Sequence, residues 1–235
     1  MASSQEHTVK AFDNDIGELR GLIAQMGGLA EAAIADAMTA LTRGDLSLAR
    51  RVIADDKRID AIQSDVELAA VRIIALRAPM ANDLREVVAA MKIASVVERI
   101  ADYAKNIAKR LPQIEGEHRI EPLSTIPAMG QMAQEMVHDV LDAFAARDAE
   151  AAREVLHRDR ALDDFYDGIF RILVTFMVEN PKTISQCAHL LFVAKNLERI
   201  GDHATNLAEM VYFAATGTQL TDRDQMQERI EGGDA

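Results

Sequence analysis

The residues of this chain best suited to chemistry are carboxylates spaced four apart. Four pairs stand out: Asp56/Asp60, Glu98/Asp102, Asp159/Asp163 and Glu198/Asp202. On a helix, positions i and i+4 point the same way, with Cβ atoms about 5–6 Å apart, and two like charges there repel by a few tenths of a kcal/mol. Acid pairs at this spacing arise by chance in so acidic a chain. The weight therefore falls on where they lie. Glu98 and Asp102 continue a stripe that runs Met91, Ala94, Glu98, Asp102, Lys105, and Glu198 and Asp202 continue one that runs Leu191, Ala194, Glu198, Asp202, Thr205. Carboxylates on a packing seam need protons, cationic partners or a metal, because burial penalises an unpaired charge. If the pairs face each other, four carboxylates converge in an oxygen-only cage. Such a cage suits Mg²⁺, Mn²⁺, Ca²⁺ or iron, whereas zinc more often takes His or Cys. The competing reading is plain salt bridging to the nearby Arg58, Arg99, Arg160 and Arg199.

Other chemical candidates are weaker. Glu135/His138 and Glu154/His157 have the Glu-x-x-His spacing of di-iron bundles. They lie off their helices' apolar stripes and read as solvated-face residues. Cys187 falls among Ile184, Ala188 and Leu191 and reads as a small buried hydrophobe with no positioned base. No Gly-rich phosphate loop of Walker type is present. His203 follows Asp202 directly but points about 100° around the helix from it.

The elements that must hold these residues all read as helices. Apolar residues recur three or four apart from Phe12 to Leu41, from Leu48 to Leu76 and from Leu84 to Ile107. Gly44 and Asp45 supply a left-handed turn and an N-cap between the first two helices. Ala78-Pro79 stops the second, and Asn82 or Asp83 caps the third. Residues 111–126, with Pro112, Gly116 and Pro122, form the one convincing linker. Three further helices follow. Asp148 caps the fifth, and Asn180-Pro181 opens the sixth as N-cap and first helical residue.

The two halves repeat. Ala49-Arg50-Arg51-Val52-Ile53 matches Ala152-Arg153-Glu154-Val155-Leu156, and Asp45, Asp56 and Asp60 fall on Asp148, Asp159 and Asp163 at the same offset. Glu98-Arg99-Ile100-Ala101-Asp102 matches Glu198-Arg199-Ile200-Gly201-Asp202 at a slightly shorter offset, a length change that a turn absorbs. The expected fold is all-α, a tandem repeat of two three-helix bundles (six long helices) related by pseudo-two-fold symmetry. The expected boundaries are 7–110 for the first repeat, 111–126 for the linker and 127–215 for the second repeat. Residues 216–235 read as a polar, disordered tail.

Composition excludes several classes. Of 235 residues, 38 are acidic and 26 basic, a formal charge of −12 that argues against bulk nucleic-acid binding. One Cys rules out a disulfide framework. The apolar runs are too short for a membrane span, and residues 1–15 lack an apolar signal core. These features point to a soluble protein of the cytoplasm.

The segment Glu98-Arg99-Ile100-Ala101-Asp102-Tyr103-Ala104-Lys105-Asn106 resembles the signature of the PhoU family, and Glu198-Arg199-Ile200-Gly201-Asp202-His203-Ala204-Thr205-Asn206 resembles it more closely. Asp83-Leu84-Arg85 after Pro79 is also similar to the family's first half. Ala101 and Tyr103 depart from the Gly and His common there. The resemblance implies a non-enzymatic regulator of phosphate homeostasis. Its implied partners are the ATPase subunit of the phosphate-specific ABC transporter and a sensor histidine kinase, held signalling-off when phosphate is plentiful. It implies a homodimer and metal ions at the acidic motifs (Mg, Mn, Fe or Zn), with Glu98/Asp102 and Glu198/Asp202 opposed by Asp56/Asp60 and Asp159/Asp163. The same carboxylates leave open a metal-dependent enzyme or a metal-storage bundle.

Overall fold

A computed structural model describes residues 2–114 and 120–220, with side chains from residue 11 onward except 121 and 122. Six α-helices account for nearly all of it: α1 (Ala2–Arg43), α2 (Leu46–Arg77), α3 (Asn82–Ile114), α4 (Ile126–Ala146), α5 (Ala149–Glu179) and α6 (Ile184–Thr216). No strand occurs among the described residues. The first three helices pack on one another and so do the last three, while α3 lies along α6 and α1 along α4. The two bundles thus share one continuous apolar core, in which Ile93, Val97, Ile100 and Ile107 of α3 and Val193, Leu197, Ile200 and Leu207 of α6 are all buried.

The turn chemistry explains where the helices begin. The Asp45 carboxylate accepts from Ser47 N and Leu48 N at 2.9 Å, and Asp148 accepts from Glu150 N and Ala151 N at 3.0 Å. Each satisfies two otherwise orphaned amides of a first turn. Gly44 precedes the first cap with φ 68°. Arg147 holds the equivalent place at φ 54°, where an L side chain is disfavoured by about 1–2 kcal/mol. Its guanidinium compensates by pairing with Glu86, a buried acid that Arg20 Nε also meets at 2.6 Å.

Three boundaries differ from the sequence reading. α3 continues through Pro112 to Ile114, because Leu111 and Ile114 are both buried, which offsets the amide hydrogen bond that Pro112 cannot make. A 3₁₀ turn, Glu121–Thr125, precedes α4. Asn180 does not cap through its side chain; a second 3₁₀ turn, Pro181–Thr183, intervenes and α6 starts at Ile184. At the far end, the polar tail from 221 onward lies outside the described residues. None of the described helices is long and apolar enough to cross a membrane.

Candidate metal centre

Each acidic motif sits where the two long hairpin helices of one half face each other. Asp159 and Asp163 on α5 lie opposite Glu198 and Asp202 on α6. Ligand oxygens of Asp159, Asp163 and Asp202 all come within 4.8 Å of one another. Glu198, with a side chain only 13% exposed, stands beside them and receives the Lys195 ammonium on Oε1. Two carboxylate oxygens here, Asp159 Oδ1 and Glu198 Oε2, are buried with no hydrogen-bond partner. A buried acceptor left in that state is costly. Burial, followed by the charges of Asp163, Asp202 and Glu198, pushes the Asp159 carboxyl up to about 6. Burial and then Glu198 raise both Asp163 and Asp202 above the ordinary carboxylate range, with Lys195 opposing. This is the electrostatic signature of acids short of positive charge. An oxygen-only set with orphaned lone pairs fits a hard divalent cation, which would tie α5 to α6.

Close approach of the two helices depends on Gly201. A Cβ there would run into Leu162 Cδ2 of α5, and Leu162 is fully buried. In the first half, Ala101 and Ile59 occupy the corresponding places and line a cavity of about 60 Å³ beside Asp56, which leaves room for a methyl group. The departure of Ala101 from the usual glycine is thereby accommodated.

The first-half acids meet different company. The Lys105 ammonium donates to Asp56 Oδ2 at 2.6 Å and lies 2.5 Å from Asp102 Oδ1, so it bridges α2 and α3. Asn106 Nδ2 donates to the other Asp102 oxygen at 3.0 Å. Burial works against the lysine's charge, but the hydrogen bonds it donates to Asp102 and Asp56 outweigh it and hold its pKa well above the usual range. Glu98 is raised by burial and then by Asp102, Asp60 and Asp56, with Lys105 opposing. Two of the first-half carboxylates, Asp56 and Asp102, therefore meet around an ammonium group, and Glu98 feels the charge of the other three acids. Among the described residues, no ion pair joins any of the eight acids to Arg58, Arg99, Arg160 or Arg199; the pairing cations are lysines.

His203 points away from the acids. Its ring stacks on Tyr103, the repeat-equivalent residue of α3, with centroids 5.4 Å apart and Nε2 3.3 Å from the Tyr103 hydroxyl. Equivalent positions meeting in this way mark the pseudo-two-fold axis between α3 and α6. Burial, then Arg99 and Arg199, depress the His203 pKa. The Glu/His pairs do not converge on a di-iron site: His138 Nδ1 meets Glu31 of α1 at 3.1 Å, and Glu135 accepts from Gln131. Cys187 is buried, its Sγ donates to Thr183 Oγ1, and burial raises its thiol pKa.

Comparisons with known proteins agree on one family. The model of the PhoU domain matches residues 23–111 and again residues 126–211. The phosphate-specific transport system accessory protein PhoU homolog of Zymomonas mobilis is 55% identical over 222 residues, covering 94% of each chain. The homolog of the same name from Caulobacter vibrioides is 48% identical, covering 92% of this chain and 94% of its own. The crystal structure of PhoU from Pseudomonas aeruginosa superposes with a TM-score of 0.85 at 36% identity, covering 88% of this chain and all of that one. The phosphate transport system regulatory protein PhoU from Streptococcus pneumoniae superposes at 0.84 with 28% identity.

Proposed function

The chain belongs to the PhoU family, and from that membership we propose that it is a non-enzymatic accessory regulator of phosphate-specific transport. It acts in the cytoplasm, contacts the transporter's ATPase subunit and a sensor histidine kinase, and keeps phosphate-starvation genes repressed when phosphate is plentiful. The observation that carries this reading is the full-length match through both repeats to relatives named for that transport system. The surface supports it. Leu68, Val71, Leu76 and Met80 in the first half, and Phe170, Val178 and Phe192 in the second, are exposed apolar side chains. Such groups suit contact with protein partners or with a second copy in a homodimer.

The residues that hold metal in this reading are Asp159, Asp163, Glu198 and Asp202. A divalent ion there would supply the positive charge that the two orphaned oxygens lack and would hold α5 against α6. The chain's own part is to fix the helix spacing through Gly201 and to keep Lys195 at the rim. The test is a clean gene deletion with a phosphate-starvation reporter in high phosphate. Derepression, reversed by the wild-type gene, is expected; unchanged output would sink the regulatory reading. Elemental analysis of Glu198→Ala with Asp202→Ala tests the metal reading separately, and metal content equal to wild type would remove it.

A further inference from the structure

The two acidic motifs are repeat-equivalent in sequence, yet position 105 carries Lys where the second half carries Thr205. The consequence is geometric. Lys105 Nζ lies between acids of both helices, 2.6 Å from Asp56 Oδ2 and 2.5 Å from Asp102 Oδ1, with its side chain only 19% exposed. Thr205 Oγ1 turns back to donate to the Asp202 backbone carbonyl at 2.7 Å and offers the second-half carboxylates nothing. Asn106 donates to the Asp102 carboxylate, but Asn206 turns to His203 Nδ1. Lys195 does not play the part of Lys105. It sits at the rim with 40% of its side chain exposed, pairs with Glu198 alone, and stands 5.3 Å from the Tyr166 ring. Among the described residues the first-half motif leaves no buried carboxylate oxygen without a partner, whereas the second leaves two.

We propose that Lys105 is a built-in cation that takes the place of a metal in the first acidic motif, so that the chain takes up divalent metal at the second motif only. An ammonium group at this position fills the space between α2 and α3 where an ion would sit, and it repels an approaching ion. A divalent ion must displace a desolvated ammonium that already makes short charge-assisted hydrogen bonds. The lysine gives a permanent clamp between α2 and α3, and the metal a removable one between α5 and α6. The inference rests on the metal reading of the second motif given above.

The experiment uses the full-length chain, stripped with chelator, dialysed against Mn²⁺ and assayed for bound metal per chain and for melting temperature with and without Mn²⁺. Wild type retains Mn²⁺, and Asp159→Asn with Asp202→Asn abolishes it. Lys105→Thr about doubles the Mn²⁺ retained, and the added share is lost on further change of Asp56→Asn. Thr205→Lys, which moves the lysine to the second motif, lowers retention, and this arm does not depend on Lys105→Thr folding. Wild-type Mn²⁺ that survives Asp159→Asn with Asp202→Asn and is lost with Asp56→Asn would overturn the inference while leaving the family's metal chemistry intact. If wild type retains no Mn²⁺ at all, the metal reading of the second motif fails. The Lys105 assignment then stands only if Lys105→Thr melts lower than wild type and Mn²⁺ restores it, and it falls if Mn²⁺ leaves that variant unchanged.

Discussion

The two halves of this molecule solve one electrostatic problem in two ways. Both place two acids of a hairpin's first helix against two of its second. In the first half a lysine of α3 crosses to α2 and closes the charge internally. In the second the acids are left raised in pKa, with two buried oxygens lacking partners. Duplication preserved the helices, the caps and the carboxylates. A single residue three places beyond the motif, Lys105 against Thr205, sets whether a cation of the chain itself lies between the two helices.

That contrast can be broken most directly at the lysines. Lys105→Met leaves Asp56 and Asp102 without their cation and is expected to cost about 2–4 kcal/mol. This is about 1 kcal/mol below the roughly 3–5 kcal/mol for breaking a buried pair, because Asp102 is partly solvated. Lys195→Met removes a rim pair and is expected to cost less than about 1 kcal/mol. Urea denaturation in chelator separates the two, and equal losses would erase the distinction between an interior and a rim cation.

Helix spacing gives the next largest effect. Gly201→Ala forces a methyl group onto buried Leu162 and is expected to destabilise by about 1–3 kcal/mol, through overpacking that outweighs the better helix propensity of alanine. Ala101→Gly changes only propensity and a small cavity and should cost about 1 kcal/mol. Thermal melts of both variants check the pair.

The larger pH response should come from the second half, although Glu98 in the first is raised as well. In the folded chain the Asp159 carboxyl is pushed up to about 6, above the ordinary value of 3.8. Between these values the folded chain binds more protons than the unfolded one, so metal-free stability falls as pH rises from about 4 to about 6. The groups facing Asp159 are Asp163 on its own helix and Asp202 and Glu198 across from it, with Lys195 at the rim. Asp159→Asn should flatten that slope. After allowance for the solvent that reaches a half-buried carboxylate, the gain at neutral pH is on the order of 1 kcal/mol, or about 2–4 °C in melting temperature. A melting series at pH 4–7 in chelator measures it, and a slope unchanged in Asp159→Asn would place the raised acid elsewhere.

The smallest effect is one that should not distinguish the halves. Asp45→Ala and Asp148→Ala each remove a cap that accepts from two first-turn amides, and each is expected to cost about 1 kcal/mol. Unequal losses would show that the duplication no longer holds at the level of local structure.

Much of this was legible before any coordinates. The three- and four-residue spacing of the apolar positions places the helices, since each must turn one face inward. Asp45 and Asp148 mark their starts because a short carboxylate side chain is what an exposed first turn recruits. The repeat of Glu98/Asp102 in Glu198/Asp202 marks the paired sites, and the alternation of acids with apolar residues on one stripe places them at a seam. The differences lie at helix ends. Pro112 read as a break, but buried Leu111 and Ile114 carry α3 past it. Asn180 read as a cap, but Pro181 starts a 3₁₀ turn first.

What the sequence could not settle was how each acid is neutralised, because that is a matter of distance between helices far apart along the chain. Lys105 stands on the same stripe as Glu98 and Asp102, yet only packing brings its ammonium to Asp56 on α2. The nearby arginines, equally good candidates by charge, make no ion pair with these acids among the described residues, although Arg199 still lowers the Asp202 carboxyl. His203 adjoins Asp202 in sequence and is drawn instead to Tyr103 across the pseudo-two-fold axis. Local rules of periodicity and capping act over a few residues and are written into the chain. Charge pairing depends on a few ångströms between helices, and those are set when the whole core closes.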